Sequence, residues 1–201
     1  MKTKLFSIIL FAGLLIAGCG EPATTNIDTT NDSAGAVMSL DYRDFDQAAS
    51  KMVQSLLGSG RLGKSDGSRY VLATGRILNN TTQRIDTDQL MLKVRREITN
   101  SGQGVFSAVV GPGSDKTLLE TRELRESDEF DTSTTAEKRT LIAPELTIQG
   151  KIHQVIVPLA RNRQQVEYYF QLELSEVKTG LTYWQEEVLV GKRGSDKSVP
   201  W

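Results

Sequence analysis

Apolar and polar residues alternate along this chain with more than one period, and each period predicts a different element. An unbroken apolar run, Leu5 to Ile16 with only Ser7 and Gly13 inside it, follows Lys2 and Lys4. From residue 20 to about 38, "GEPATTNIDTTNDSAGAVM" holds almost no large hydrophobe before Val37. Such a stretch buries too little to offset the entropy of ordering and is expected to be a flexible tether. In "DFDQAASKMVQSLLGSG", Phe45, Ala48, Ala49, Met52, Val53, Leu56 and Leu57 recur at helical spacing. Asp44 with Gln47 reads as the capping box of that helix, and Gly58 or Gly60 as its stop. A strand is expected at 68–79 and a short buried one at 104–111. Between them a helix runs from Asp86 to about Asn100, with Leu90, Met91, Val94 and Ile98 on one face. That order predicts a βαβ-like unit.

The stretch "SDKTLLETRELRES" (114–127) predicts a helix capped by Ser114, with Leu118 and Leu124 inward, and 128–135 a loop. The last third changes period. Strands are expected at 145–157, 166–177 and 182–192. In the middle one Tyr168, Phe170, Leu172 and Leu174 alternate with Tyr169, Gln171, Glu173 and Ser175, the pattern of a half-buried strand. The turn "KTGLT" (178–182) joins the last two strands into a hairpin. The fold class is α/β (α+β): one domain, a mixed four- to five-stranded sheet packed with about three helices, ending in an antiparallel hairpin.

Composition removes most catalytic chemistry. His153 is the only histidine, which leaves no Ser-His-Asp triad, Cys-His pair or multi-histidine metal site, and in an alternating strand it reads as a plain strand residue. "GPGSDKT" (111–117) lacks the spacing of a phosphate loop and reads as a turn into the next helix. Glu120, Glu123, Glu126, Asp128, Glu129 and Asp131 could supply a glycosidase pair, but among Arg122 and Arg125 they read as a solvated helix face. No catalytic, cofactor or metal residue is expected. Tyr168, Tyr169, Tyr183 and Trp184 read as hairpin core and cross-strand pairs, any outward one being a possible interface anchor.

The apolar run at the start is too short to cross a bilayer, which takes about 20 apolar residues, and has the form of a signal peptide. Ile16, Ala17, Gly18 and Cys19 resemble a bacterial lipobox, and Cys19 is the only cysteine. The resemblance implies cleavage between Gly18 and Cys19, with S-diacylglycerol and N-acyl groups on Cys19. Two or three acyl chains hold a protein stably on a membrane. Gly20 at the next position, by resemblance to enterobacterial lipoproteins, implies the outer membrane, facing the periplasm. Without residues 1–18, 22 basic residues face 25 acidic, a net charge of about −3 with no footprint for nucleic acid. The layout is therefore 1–18 signal peptide, 19–38 lipid anchor and tether, 39–192 globular domain and 193–201 polar tail.

"YVLATGRILN", "LMLKVRREITNSGQGVFSAV", "ELTIQGKI" and "YYFQLELSEVKTGLTYWQEEVLVGK" together resemble the LpoB family of penicillin-binding protein activator lipoproteins. The hairpin with Thr179, Gly180 and Trp184 carries most of the likeness, and "TGRI" (74–77) and "QGKI" (149–152) add to it. The same plan occurs in the amino-terminal domain of TolB and in the CsgG secretion lipoprotein. The resemblance implies a non-enzyme that binds and activates a class A penicillin-binding protein. Enterobacterial members carry a long Pro-rich tether. Here it has about 19 residues and one proline, Pro22, with a mean reach of about 25 Å and at most about 65 Å. So short a leash leaves open a structural or assembly lipoprotein of the envelope that forms homo-oligomers near the outer membrane.

Overall fold

The computed structural model describes residue 29 and residues 37–198. The expected signal peptide, its cleavage site, Cys19 and all of the tether but Thr29, Val37 and Met38 lie outside the described residues. The domain begins with helix α1 (Tyr42–Gly58), followed by strand β1 (Tyr70–Asn80), helix α2 (Thr87–Ser101), strand β2 (Gly104–Phe106) and helix α3 (Lys116–Glu123). A 3-10 turn (Leu124–Glu126) leads through an irregular segment to β3 (Leu146–Leu159), β4 (Arg163–Glu176) and β5 (Thr182–Ser195). The sheet order is β2-β1-β3-β4-β5, with β1 parallel to β2 and β3 and the other pairs antiparallel. The expected βαβ unit is β1-α2-β2, and the expected hairpin is β4-β5.

Two helices and the alternation of the strands make the core. Ala48, Ala49, Met52, Val53 and Leu56 of α1 and Leu90, Met91, Val94 and Ile98 of α2 are buried. They meet Leu72 and Ile77 of β1, Leu146, Ile148 and Ile152 of β3, and Val166, Tyr168, Phe170, Leu172 and Leu174 of β4. Phe45 sits edge-on to Phe170, ring centres 5.8 Å apart. Val190 of β5 joins them, with Tyr183, Trp184 and Val188 packed alongside. The residues that alternate with these along β3 to β5 point away from the core, and among the described helices α1 and α2 alone pack on the sheet. One face of the sheet is therefore left uncovered.

Several boundaries differ from the sequence expectation. The N-cap of α1 is Asp41, and Asp44 is the third helical residue, each carboxylate accepting from the other's backbone N–H. The box therefore closes one turn earlier than Asp44 with Gln47. Asp115, not Ser114, caps α3. That helix buries no residue, and Leu118 and Leu124 are only half-buried, because α3 lies off the sheet. Strand β2 ends at Phe106 rather than 111. The chain there stops pairing as a strand but keeps to the same edge of β1, with Ser107 N–H donating to the Leu72 carbonyl at 2.8 Å. Gly111 allows this: a Cβ at its φ of +101° would meet the Thr74 carbonyl oxygen at 2.2 Å. Strand β5 runs to Ser195, so the first residues of the expected polar tail are paired strand, Gln165 opposite Arg193 and Gln164 opposite Gly194.

Position along one strand should set the cost of truncation. Ile152→Ala, fully buried, should lower the unfolding free energy by about 2–5 kcal/mol in urea titration, and Val155→Ala, on the opposite face and 41% exposed, by less than about 1 kcal/mol. Equal losses at the two sites would contradict the one-sided core.

Candidate interaction surface

The uncovered face can be read row by row from the strand register. Gln149, Glu173 and Gln185 form one row, and Lys151, Gln171 and Glu187, with Leu78 beside Lys151, the next. His153, Tyr169 and Leu189 form a third, followed by Val155 and Glu167. Two chemistries are thus laid side by side.

The first two rows floor an open groove of about 650 Å³, reached also by Arg76. Its shape comes from two glycine motifs that the register sets side by side. In "TGRI" the β1/β3 pairing shifts between Thr74 and Ile77, and a Cβ on Gly75 would meet Gln149 Cβ at 2.8 Å. In "QGKI" a Cβ on Gly150 would meet the Gln171 carbonyl oxygen at 2.5 Å. Bulges of this kind re-aim side chains. In each motif the isoleucine, Ile77 or Ile152, enters the core, and the cation before it, Arg76 or Lys151, lines the groove on the other face.

The third row is apolar and aromatic. The His153 ring stacks on Tyr169, centres 4.6 Å apart and planes 4° apart. The Tyr169 hydroxyl donates to Glu167 at 2.7 Å, which raises the phenol pKa and lowers that of Glu167. Leu189 lies opposite Tyr169 and is 51% exposed; Val155 is 41% exposed. Of the four aromatics considered in the hairpin, Tyr169 alone stands in this face. Tyr168 is fully buried, and Tyr183 and Trp184 are half-buried against the core.

Where the chain enters the domain, a buried polar cluster pins it to the sheet. Lys192 Nζ lies 2.6 Å from Asp44 and 3.7 Å from Asp41, and donates to the Ser39 carbonyl at 2.8 Å, its side chain 7% exposed. Burial would raise the Asp41 pKa, but the Arg43 guanidinium, Lys192 and two backbone N–H bonds outweigh it and hold the carboxyl below its usual range. The Tyr168 hydroxyl donates to the Met38 carbonyl and accepts from Gln83, whose own side-chain oxygen accepts from Leu40 N–H. Burial, and then the charge of Asp44, push the Tyr168 phenol up to about 12.

The acidic stretch is not gathered into a site. Glu126 pairs with Lys138, whose hydrogen bond and charge lower its pKa. Arg122 and Arg125 tie the helix to the carbonyls of Glu137 and Thr132. Among the described residues no group of His, Cys, Asp and Glu could hold a metal ion, and no helix is long and apolar enough to cross a membrane.

A family described as the peptidoglycan-synthase activator LpoB matches residues 44–190, from the first turns of α1 to the inward valine of β5. The chain belongs to the LpoB family. The LpoB family is one of activators, not enzymes. No curated protein matches the sequence. Among solved structures, the LpoB carboxy-terminal domains from Salmonella enterica and Escherichia coli are each 14% identical, with TM-score 0.42, over 73% of this chain and 98% of that one. A PelC dodecamer from Paraburkholderia phytofirmans is 12% identical, with TM-score 0.31, over 64% and 75%. At these values the likenesses carry no functional weight, and the assignment to LpoB rests on the family match.

The pinning cluster predicts an alkaline transition. A phenol whose folded pKa is raised from 10.0 to about 12 contributes stability that is complete below pH 10 and lost as pH climbs toward 12. Two units correspond to about 3 kcal/mol. Denaturant titrations from pH 9 to 12 should show this loss in the native chain and a smaller one in Tyr168→Phe.

Proposed function

We propose that this chain is an outer-membrane lipoprotein, anchored through Cys19 and facing the periplasm, that binds and activates a class A penicillin-binding protein. The observation that carries the reading is the span of the family match, which takes in every element that builds the sheet and its two covering helices. The uncovered face supplies a surface for docking. Its row of His153, Tyr169 and Leu189, extended by Val155, offers an aromatic and aliphatic anchor rimmed by charge, the make-up of an interface core. Activation follows if docking is tighter to the active conformation of the synthase, since a ligand shifts a population by its differential affinity.

A second reading is an assembly lipoprotein that oligomerises near the membrane. It is favoured by the outer edge of β5, a 14-residue strand with no described neighbour beyond it, which could pair with another copy. The two readings separate on one experiment.

Full-length chain in detergent, added to a purified class A penicillin-binding protein, should raise its rate of glycan polymerisation. Leu189→Asp should weaken this by about 2 kcal/mol, roughly thirtyfold in the concentration needed, with the thermal midpoint unchanged. Leu92→Asp, on the exposed side of α2, should act as the native chain does. No stimulation, together with self-association of the native chain, would favour the assembly reading.

A further inference from the structure

The groove beside the docking row has a chemistry of its own. Arg76 and Lys151 line its β1/β3 side, and among the described residues neither has an ion-pair or hydrogen-bond partner. The carboxylates on the β4/β5 side are already engaged by neutral donors of the same sheet. Glu173 accepts from Ser175 at 2.9 Å and Thr182 at 2.7 Å, and Glu187 from Gln171 at 2.5 Å. The unmet demand is therefore for negative charge over Arg76 and Lys151. Gln149, Gln171 and Gln185 cross the floor between the charges and can both donate to and accept from amides.

That pattern selects among ligands. A polyanion such as a pyrophosphate or a nucleic acid is disfavoured, because the carboxylates of Glu173 and Glu187 line the same groove. A folded protein surface gains little from it, because Leu78 is the only apolar side chain that reaches the groove from an outward position, and interfaces draw their energy from buried aromatic and aliphatic anchors. An extended chain of amides with isolated carboxylates matches it and can lie along an open groove of this kind.

We propose that this groove binds the carboxylate-bearing stem peptide of un-cross-linked peptidoglycan, with Arg76 and Lys151 on its carboxylates and the three glutamines on its amides. The inference rests on the periplasmic role proposed above and deepens it: an activator that holds free stem peptides beside the synthase is loaded where the wall is still open.

The test uses the full-length chain in detergent and a disaccharide-tetrapeptide muropeptide, followed through the side-chain amide NMR signals of Gln149, Gln171 and Gln185. Saturable shifts of these signals are expected, with binding about tenfold weaker in Arg76→Gln and Lys151→Gln. No shifts with stimulation intact would overturn the inference and leave the docking reading standing. Shifts without stimulation would support it and count against docking. Equal binding of chitotetraose, which has no carboxylate, of inorganic pyrophosphate, or of an acidic peptide of L residues would overturn it.

Discussion

Two helices of 17 and 15 residues cover a five-stranded sheet whose three longest strands run 14 residues each, and they can cover only one side of it. Strands alternate their side chains between faces, so this single constraint sorts the residues of β3 to β5. Even-numbered positions of β4 from Val166 to Leu174 are buried under the helices, and odd-numbered ones from Gln165 to Ser175 are half-exposed. A one-residue slip would exchange the two sets. The core and the candidate surface are thus two consequences of one register.

The anchoring of the first described residues to the sheet depends on the same register. Lys192 follows Val188 and Val190 in phase, so it points inward, where only a charge partner makes its burial tolerable. Asp44 and Asp41 at the start of α1 supply that partner. A carboxylate at a helix N-terminus is favoured by the helix dipole as well, so the cluster closes the capping box and fixes β5 to α1 together.

Much of this was legible in the sequence, and the parts that were not have physical reasons. The faces of α1 and α2 and the alternation of β4 followed from apolar spacing, since burial is what sets that spacing. The inward phase of Lys192 with Val188 and Val190 is hidden in the sequence by its charge, which by itself marks an exposed position. The caps of α1 and α3 were misplaced because neighbouring Asp and Ser residues compete for the same role, and Asp41 and Asp115 win on backbone geometry that composition does not record. The buried strand expected at 104–111 ends at Phe106, and Ala108 and Val110 beyond it are exposed, because an apolar run does not by itself mark where pairing stops. The groove was visible only as two Gly-cation-Ile motifs. That Arg76 and Lys151 share a floor depends on a bulge and a parallel pairing, both long-range.

The central claim is that the uncovered face is the working face. Its most direct test is photo-crosslinking of the full-length chain to a class A penicillin-binding protein, with a photoreactive side chain at position 155 on the uncovered face or at position 92 outside α2. The account predicts a crosslinked product from position 155 and none from 92; a product from position 92 alone would contradict it.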